Sequence, residues 1–145
     1  HPMTPKVFQY GIQAENHSRY NTPLTYGIYL AGLVFRWIKD QGGMAAMERA
    51  SREKSGLLYD LIDSSNGFYH CKIANEARSR VNVCFHLGEP ALEAEFIREA
   101  GENGLFHLSG HKRIGGLRAS LYNAMPHESA VALAYFMADF SARHG

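Results

Sequence analysis

Apolar residues recur along this chain at steps of three and four positions over four long stretches, which is the period of an amphipathic helix. The predicted helices span about 24–39, 44–64, 91–101 and 127–143. In the first of them, a stripe of apolar residues predicts a buried face: Ile28, Leu30, Leu33, Val34, Trp37 and Ile38. In the last, the predicted buried face consists of Val131, Leu133, Ala134, Met137 and Phe140.

Strict alternation at 79–87 predicts a strand, with Val81, Val83, Phe85 and Leu87 on one face. Shorter and weaker patterns predict strands at 7–12, 68–71, 105–108 and 117–121. From residue 44 the predicted order is therefore helix, strand, strand, helix, strand, strand, helix. This order indicates an α+β fold in which helices cover an antiparallel or mixed sheet.

The same patterns divide the chain into three parts. Residues 1–23 resemble the end of a larger domain, residues 24–64 are predicted to form connecting helices, and residues 65–145 a small C-terminal domain. The pair Gly42-Gly43 interrupts the helical pattern and favours a bend there.

A net charge of +1 gives no global field that would attract nucleic acid or a membrane surface, and the start of the chain lacks the apolar core of a signal peptide. Cys71 and Cys84 have no metal-ligand spacing and are too few for a disulfide framework. A soluble cytoplasmic protein with reduced thiols is expected. Any bound anion should be small.

Residues 110–125 contain a local basic cluster. His111, Lys112, Arg113 and Arg118 surround a pair of glycines at 115–116. Glycines allow close backbone approach to a ligand, and a guanidinium fits a carboxylate or phosphate with two parallel hydrogen bonds. The pattern is compatible with an anion-binding loop or with a solvated basic hairpin.

A second polar group precedes the first long helix, in Tyr-Asn-Thr-Pro at 20–23. Asn21 or Thr22 can cap the helix, and Pro23 is tolerated in a first helical turn. The same amide and hydroxyl at a helix start would also favour a phosphate. Taken alone, the motif fits a plain helix cap better.

Several motifs resemble the phosphoserine aminotransferase family, the fold-type I, class V aminotransferases that depend on pyridoxal 5′-phosphate. The most specific is Gly-Gly-Leu-Arg-Ala-Ser-Leu-Tyr-Asn-Ala at 115–124, preceded by Gly110-His111. Supporting motifs lie at 20–23, 32–37, 54–59 and 78–83, so the resemblance runs from about residue 10 to the end of the chain. It implies the α/β class of these transferases, with residues 1–23 as the tail end of the large cofactor-binding domain and a long bent connecting helix before the small domain.

The resemblance also implies roles for individual residues. Asn21 and Thr22 would contact the cofactor phosphate of the neighbouring subunit in a homodimer with shared active sites. His111 and Lys112 would hold the phosphate of a small phosphorylated amino or keto acid, and Arg118 would hold its α-carboxylate. The family usually has His-Arg where this chain has His111-Lys112-Arg113, so either basic residue can be the phosphate contact; the alignment favours Lys112.

None of the five lysines, Lys6, Lys39, Lys54, Lys72 and Lys112, has the family's Schiff-base context. The chain is therefore expected to be the C-terminal part of an enzyme that converts glutamate and 3-phosphohydroxypyruvate to phosphoserine and 2-oxoglutarate in serine biosynthesis. Alone it should be inactive. The alternatives are a non-enzymatic module that binds phosphorylated metabolites, and a related aminotransferase with another phosphorylated hydroxy-acid substrate.

Other polar residues are expected to carry no chemistry. Glu93, Glu95 and Glu99 are predicted to form a solvated helix face. Six further histidines have no metal-ligand spacing: His17, His70, His86, His107, His127 and His144.

Overall fold

The computed structural model describes residues 3–145, and its elements from residue 43 onward follow the predicted order. The helices are α1 (Tyr10–Glu15), α2 (Thr25–Asp40), α3 (Gly43–Ser64), α4 (Pro90–Glu102) and α5 (His127–His144). The strands are β1 (Tyr69–His70), β2 (Asn82–Leu87), β3 (Ser109–His111) and β4 (Gly115–Ser120). Short 3-10 turns lie at Lys6–Phe8 and Asn75–Ala77. The α+β class is confirmed.

Two compact units make up the chain, one ending at Gln41 and the other spanning Gly42–Gly145. The predicted division at residues 23 and 64 remains a prediction. Its first part includes residues 1 and 2, which lie outside the described residues.

The strand predicted at 7–12 is wrong. This stretch forms the 3-10 turn Lys6–Phe8 and the helix α1. Local hydrogen bonds hold it: the Gln9 side chain donates to Thr4 O at 2.6 Å and the Gln13 side chain donates to Val7 O at 2.9 Å. The weak alternation was overridden because short-range hydrogen bonds satisfy these backbone groups without a neighbouring strand.

Helix α2 lies within one residue of its predicted ends, but its cap and its burial were predicted wrongly. The N-cap is Leu24, and neither Asn21 nor Thr22 caps the helix with its side chain. No residue of α2 is buried, and Ile28 and Val34 are 63% and 52% exposed. The amphipathic pattern identifies an apolar face, but burial requires a second packed element, and the described part of this unit offers only α1 and a 3-10 turn.

Helix α3 begins beside the predicted glycine interruption. Both Gly42 and Gly43 have positive φ, 97° and 74°, a conformation that residues with a Cβ adopt only with strain. The helix ends at Ser64, and a turn follows, with Asn66 and Gly67 also at positive φ.

The four strands form one antiparallel sheet in the order β1-β2-β4-β3. The strand predicted at 105–108 is displaced to Ser109–His111, because His107 takes a positive φ of 63° that interrupts an extended chain. Beside it, Leu108 O accepts a hydrogen bond from Arg118 N at 2.8 Å. Pairing with β4 thus continues for one residue before β3 begins.

One face of the sheet forms the core with α3, α4 and α5. Val83, Phe85 and Leu87 point into it, as the alternation predicted. The start at residue 79 and the burial of Val81 were predicted wrongly: β2 begins at Asn82, and Val81 before it is only half-buried. Aromatic rings pack edge to face at its centre, with Phe96 at 5.0 Å from Phe136 and 5.1 Å from Phe140 between ring centroids. The buried face of α5 consists of Ala130, Leu133, Phe136, Met137 and Phe140, so Val131 and Ala134, which are only partly buried, were wrongly placed in it.

The glutamate face predicted for α4 is only partly solvated. Glu99 is 14% exposed and accepts a hydrogen bond from Arg143 at 2.7 Å, and Glu93 is 19% exposed. Their long side chains fold back onto the ends of other elements, which the period of one helix cannot reveal. Within residues 3–145, both cysteines are free and no helix has the length and apolar composition needed to cross a bilayer.

Candidate anion-binding site

The basic loop of the sequence is a β-hairpin in the second unit. Its strands β3 and β4 pair with His111 opposite Gly115, and residues 112–114 form the turn. Ile114 N donates to His111 O at 2.9 Å, and Arg113 N donates to the His111 ring atom Nδ1 at 3.2 Å. The first bond closes the turn, and the second holds the His111 ring against it. The hydrogen bond leaves Nε2 as the ring nitrogen available for a ligand.

Two positions of the hairpin require glycine because a Cβ at either one would clash with neighbouring atoms. A Cβ at Gly110 would lie 2.1 Å from Gly115 O across the hairpin. At Gly116, which has φ +69°, a Cβ would lie 2.5 Å from Cε1 of His86 on the neighbouring strand. The glycines therefore allow β3, β4 and the His86 side chain to approach closely.

Arg118 lies in the middle of β4, with Cys84 of β2 as its Cα partner. Its neighbours Leu117 and Ala119 point into the core, so Arg118 points to the opposite face of the sheet. Its Nε is buried, and within residues 3–145 it has no hydrogen-bond partner. A buried donor without an acceptor is costly, and a bound carboxylate would remove that cost.

The hairpin therefore brings the three predicted substrate residues into one element. His111 ends β3, Lys112 begins the turn and Arg118 follows on β4. The side chains of Lys112 and Arg113 are exposed, and within residues 3–145 neither forms an ion pair. Free cations at the turn and a half-buried guanidinium on the strand are suited to a ligand with two anionic groups.

Arg118 also lines an open cavity of about 620 Å³ at the edge of the sheet. Its other walls are the segment before β3, including Phe106 and Leu108, and the residues after β4, including Tyr122 and Met125. The lining of the cavity is mainly apolar.

Asn21 and Thr22 belong to the first unit. Both residues are exposed and precede Leu24, the N-cap of α2. Within the described chain their side chains do not cap the helix. The amide and the hydroxyl remain available to an external acceptor or anion.

Comparison with known proteins decides the family. The family model described as aminotransferase class-V matches residues 3–133. The chain belongs to this family.

The two relatives compared with this class-V aminotransferase chain are both named phosphoserine aminotransferase. The chain is 54% identical over 99% of its length to that of Laribacter hongkongensis, and 52% identical over 99% of its length to that of Aromatoleum aromaticum. The chain spans 40% and 39% of these two relatives.

Solved structures give the same family. The phosphoserine aminotransferase of Bacillus circulans subsp. alkalophilus matches with a TM-score of 0.89 and 42% identity, covering 97% of this chain and 39% of that structure. The phosphoserine aminotransferase of Trichomonas vaginalis, described as bound to pyridoxal phosphate, matches with a TM-score of 0.83 and 38% identity, covering 95% and 39%.

Two supports of this site were missed in the sequence. Lys54 of α3 is 2% exposed, and its Nζ donates to backbone oxygens just after β4. His86 stacks on His70 at 5.6 Å and its Nδ1 lies 3.2 Å from Glu93 Oε1. The only sequence signal for Lys54 was a lysine at an apolar position of the helical pattern. For His86 and Glu93 no local signal exists, because sheet pairing and a side chain from α4 create the cluster.

Burial lowers the pKa of Lys54 below its ordinary value, since a charged amine loses hydration in the interior. Within residues 3–145, no group of three or more histidine, cysteine or acidic side chains is arranged to hold a metal ion.

Proposed function

We propose that the protein containing this chain transfers an amino group between glutamate and 3-phosphohydroxypyruvate, forming phosphoserine and 2-oxoglutarate in serine biosynthesis. The names of the relatives support this reaction. The observation that carries it is Arg118, whose buried Nε has no acceptor among residues 3–145. The hairpin that carries Arg118 also bears the polar His111 and the cationic Lys112.

In this proposal the hairpin recognises the two ends of the substrate. Arg118 donates its guanidinium hydrogens to the α-carboxylate in a planar, bidentate contact. His111 and Lys112 contact the phosphate, and they do so in the active site of the partner subunit of a homodimer. Lysine acts there as a mobile point charge, because it lacks the fork of arginine.

Asn21 and Thr22 would hold the phosphate of pyridoxal 5′-phosphate. They fit this group because an amide, a hydroxyl and backbone N–H groups precede a helix of 16 residues, whose N-terminus favours anions. The cofactor, when bound, supplies the electron-withdrawing ring that stabilises negative charge at the substrate's α-carbon. The residues of this chain bind and orient; the proton transfers need a base that these residues do not supply.

The Schiff-base lysine is proposed to lie outside these residues. Lys54 is the one buried lysine of the described chain, and two backbone oxygens already accept hydrogen bonds from its amine, at 2.7 and 2.8 Å. It therefore serves structure and is held away from nucleophilic attack. The isolated chain is expected to have no transaminase activity.

The test uses the full-length protein with pyridoxal phosphate, phosphoserine and 2-oxoglutarate, and measures glutamate formation. We expect turnover, with kcat/KM for phosphoserine far above that for serine, which lacks the phosphate. A phosphorylated four-carbon hydroxy amino acid, assayed in parallel as the amino donor to 2-oxoglutarate, distinguishes the related aminotransferase. A higher kcat/KM for that compound than for phosphoserine would make it the substrate instead.

Titration calorimetry of the isolated 145-residue chain with phosphoserine tests the alternative of a binding module. Absence of binding, together with activity of the full-length protein, supports half of a shared site. Tight binding by the monomeric chain would support the module instead.

A further inference from the structure

We infer that Lys54 is a positioning residue for the substrate site, because its ammonium group fixes the turn that walls the cavity beside Arg118. This inference rests on the proposed function. It assigns a task in substrate binding to a residue of α3 that is separated in sequence from the basic hairpin.

The first observation is that one ammonium group bonds both ends of one turn. Lys54 Nζ donates to Tyr122 O at 2.7 Å and to Met125 O at 2.8 Å. The same turn is closed by Met125 N, which donates to Tyr122 O at 3.0 Å. Tyr122 O thus accepts two hydrogen bonds, and both terminal carbonyls of the turn are directed at Lys54.

The second observation is the position of this turn in the chain. Strand β4, which carries Arg118, ends at Ser120, and the turn begins two residues later. In between, Leu121 is buried and its N–H donates to Val81 O at 2.6 Å. A short segment, held by the buried Leu121 and its hydrogen bond, therefore connects the turn to the strand that carries Arg118. A shift of the turn would be transmitted through this segment to β4.

The third observation is that the turn forms part of the cavity wall. Tyr122 and Met125 line the same cavity of about 620 Å³ that Arg118 lines. Tyr122 is 63% exposed, so packing holds it little, and its carbonyl is held by the hydrogen bonds from Lys54 and from Met125 N. The position of the wall is set by α3.

The last observation is the environment of the amine. Lys54 is 2% exposed, and among residues 3–145 no carboxylate forms an ion pair with it. Burial of an unpaired ammonium is costly, and the two carbonyls are its compensation. Burial lowers the pKa of this amine in agreement with that cost. An apolar side chain would avoid the cost, but it would leave both carbonyls of the turn without this donor.

The test is made in the full-length enzyme with Lys54→Met, which keeps most of the length of the side chain and removes the donors. We expect KM for phosphoserine to rise about tenfold, because the turn is no longer held and Arg118 is misplaced, while kcat changes less than threefold. Lys72→Met is the matched control, because Lys72 is exposed; it should leave both constants unchanged. Lys54→Arg keeps donors and charge and should restore much of the affinity.

Thermal unfolding separates positioning from stability. If Lys54→Met lowers the melting temperature but leaves KM unchanged at a temperature where it is folded, the inference is overturned. If this variant does not fold, Lys54→Gln, which retains one shorter donor, takes its place, and an unchanged KM would again overturn the inference. Inactivity of the wild-type enzyme toward phosphoserine would instead refute the proposed function.

Discussion

Gly116 packs against the imidazole ring of His86, so close that a Cβ at position 116 would lie 2.5 Å from Cε1 and 2.7 Å from Nδ1 of that ring. The ring itself is held from two other sides, by the stack with His70 and by Glu93. Glu93 also accepts a hydrogen bond from Leu87 N at 3.3 Å. The start of β4 is thereby fixed against β2, two residues before Arg118.

Gly116→Ala should therefore destabilise the chain. The positive φ of 69° and the contact with the ring both oppose a Cβ, and together they should cost at least about 2 kcal/mol in free energy of unfolding. Urea unfolding of the 145-residue chain measures the change. Gly101→Ala is the control, because Gly101 lies in α4 with no atom within 4 Å of an added Cβ, and alanine there should stabilise the helix by about 0.5–1 kcal/mol. Equal effects of the two substitutions would contradict the packing argument.

Arg118→Lys in the full-length enzyme should weaken substrate binding strongly. Lysine keeps the charge but loses the planar pair of donors, so we expect kcat/KM for phosphoserine and for glutamate to fall about 10-fold to 100-fold, equivalent to roughly 1.5–3 kcal/mol. Steady-state kinetics of both half-reactions provide the measurement. Arg98→Lys, on the exposed face of α4, should leave both values near wild type.

Lys112 and Arg113 can be distinguished by the phosphate they are proposed to meet. We expect Lys112→Ala to raise KM for phosphoserine about tenfold or more, with a small effect on KM for glutamate, which has no phosphate. Arg113→Ala should change both constants little. The reverse order of effects would assign the phosphate contact to Arg113, and an equal loss for glutamate would argue against any phosphate contact at this turn.

Tyr59 should make the stability of the second unit decrease at alkaline pH. Burial raises the pKa of Tyr59 from 10.0 to about 12, and its hydroxyl donates to Ser79 O at 2.9 Å. In the unfolded chain the phenol ionises near pH 10, whereas in the folded chain it stays protonated to about pH 12. Its contribution is therefore complete below pH 10 and is lost as pH rises from 10 to 12, by up to about 1.4 kcal/mol per pH unit.

The measurement is urea unfolding of wild type and Tyr59→Phe at pH 9, 10 and 11. The advantage of the wild type should shrink above pH 10, because only the wild type loses stability through this phenol. Tyr135→Phe, at a residue that is 75% exposed, controls for the removal of a phenol. A constant difference between wild type and Tyr59→Phe across this range would show that burial of Tyr59 does not favour the protonated phenol.

Local sequence patterns predicted an element correctly where many residues share the same apolar period. The helices α3, α4 and α5 and the strand β2 lie close to their predicted bounds, because each repeats its apolar period over a full element. The stretch 7–12 had only a weak alternation, and side-chain hydrogen bonds to its own backbone decided its conformation. Strand β3 begins later along the chain than predicted. Its bounds depend on pairing with β4, and the short apolar run at 105–108 contains no information about that partner strand.

The sequence by itself determined the α+β order and the candidate anion-binding hairpin with His111, Lys112 and Arg118, since motif spacing and apolar period are local properties. It also singled out Asn21 and Thr22, but their failure to cap α2 was visible only in the structure. The tertiary structure alone decided which polar residues support the hairpin. Lys54 reaches acceptors 68 and 71 residues away, and His86 meets Gly116 only across paired strands. Burial and hydrogen bonding between distant segments arise when the elements pack together, so no window of the sequence contains them.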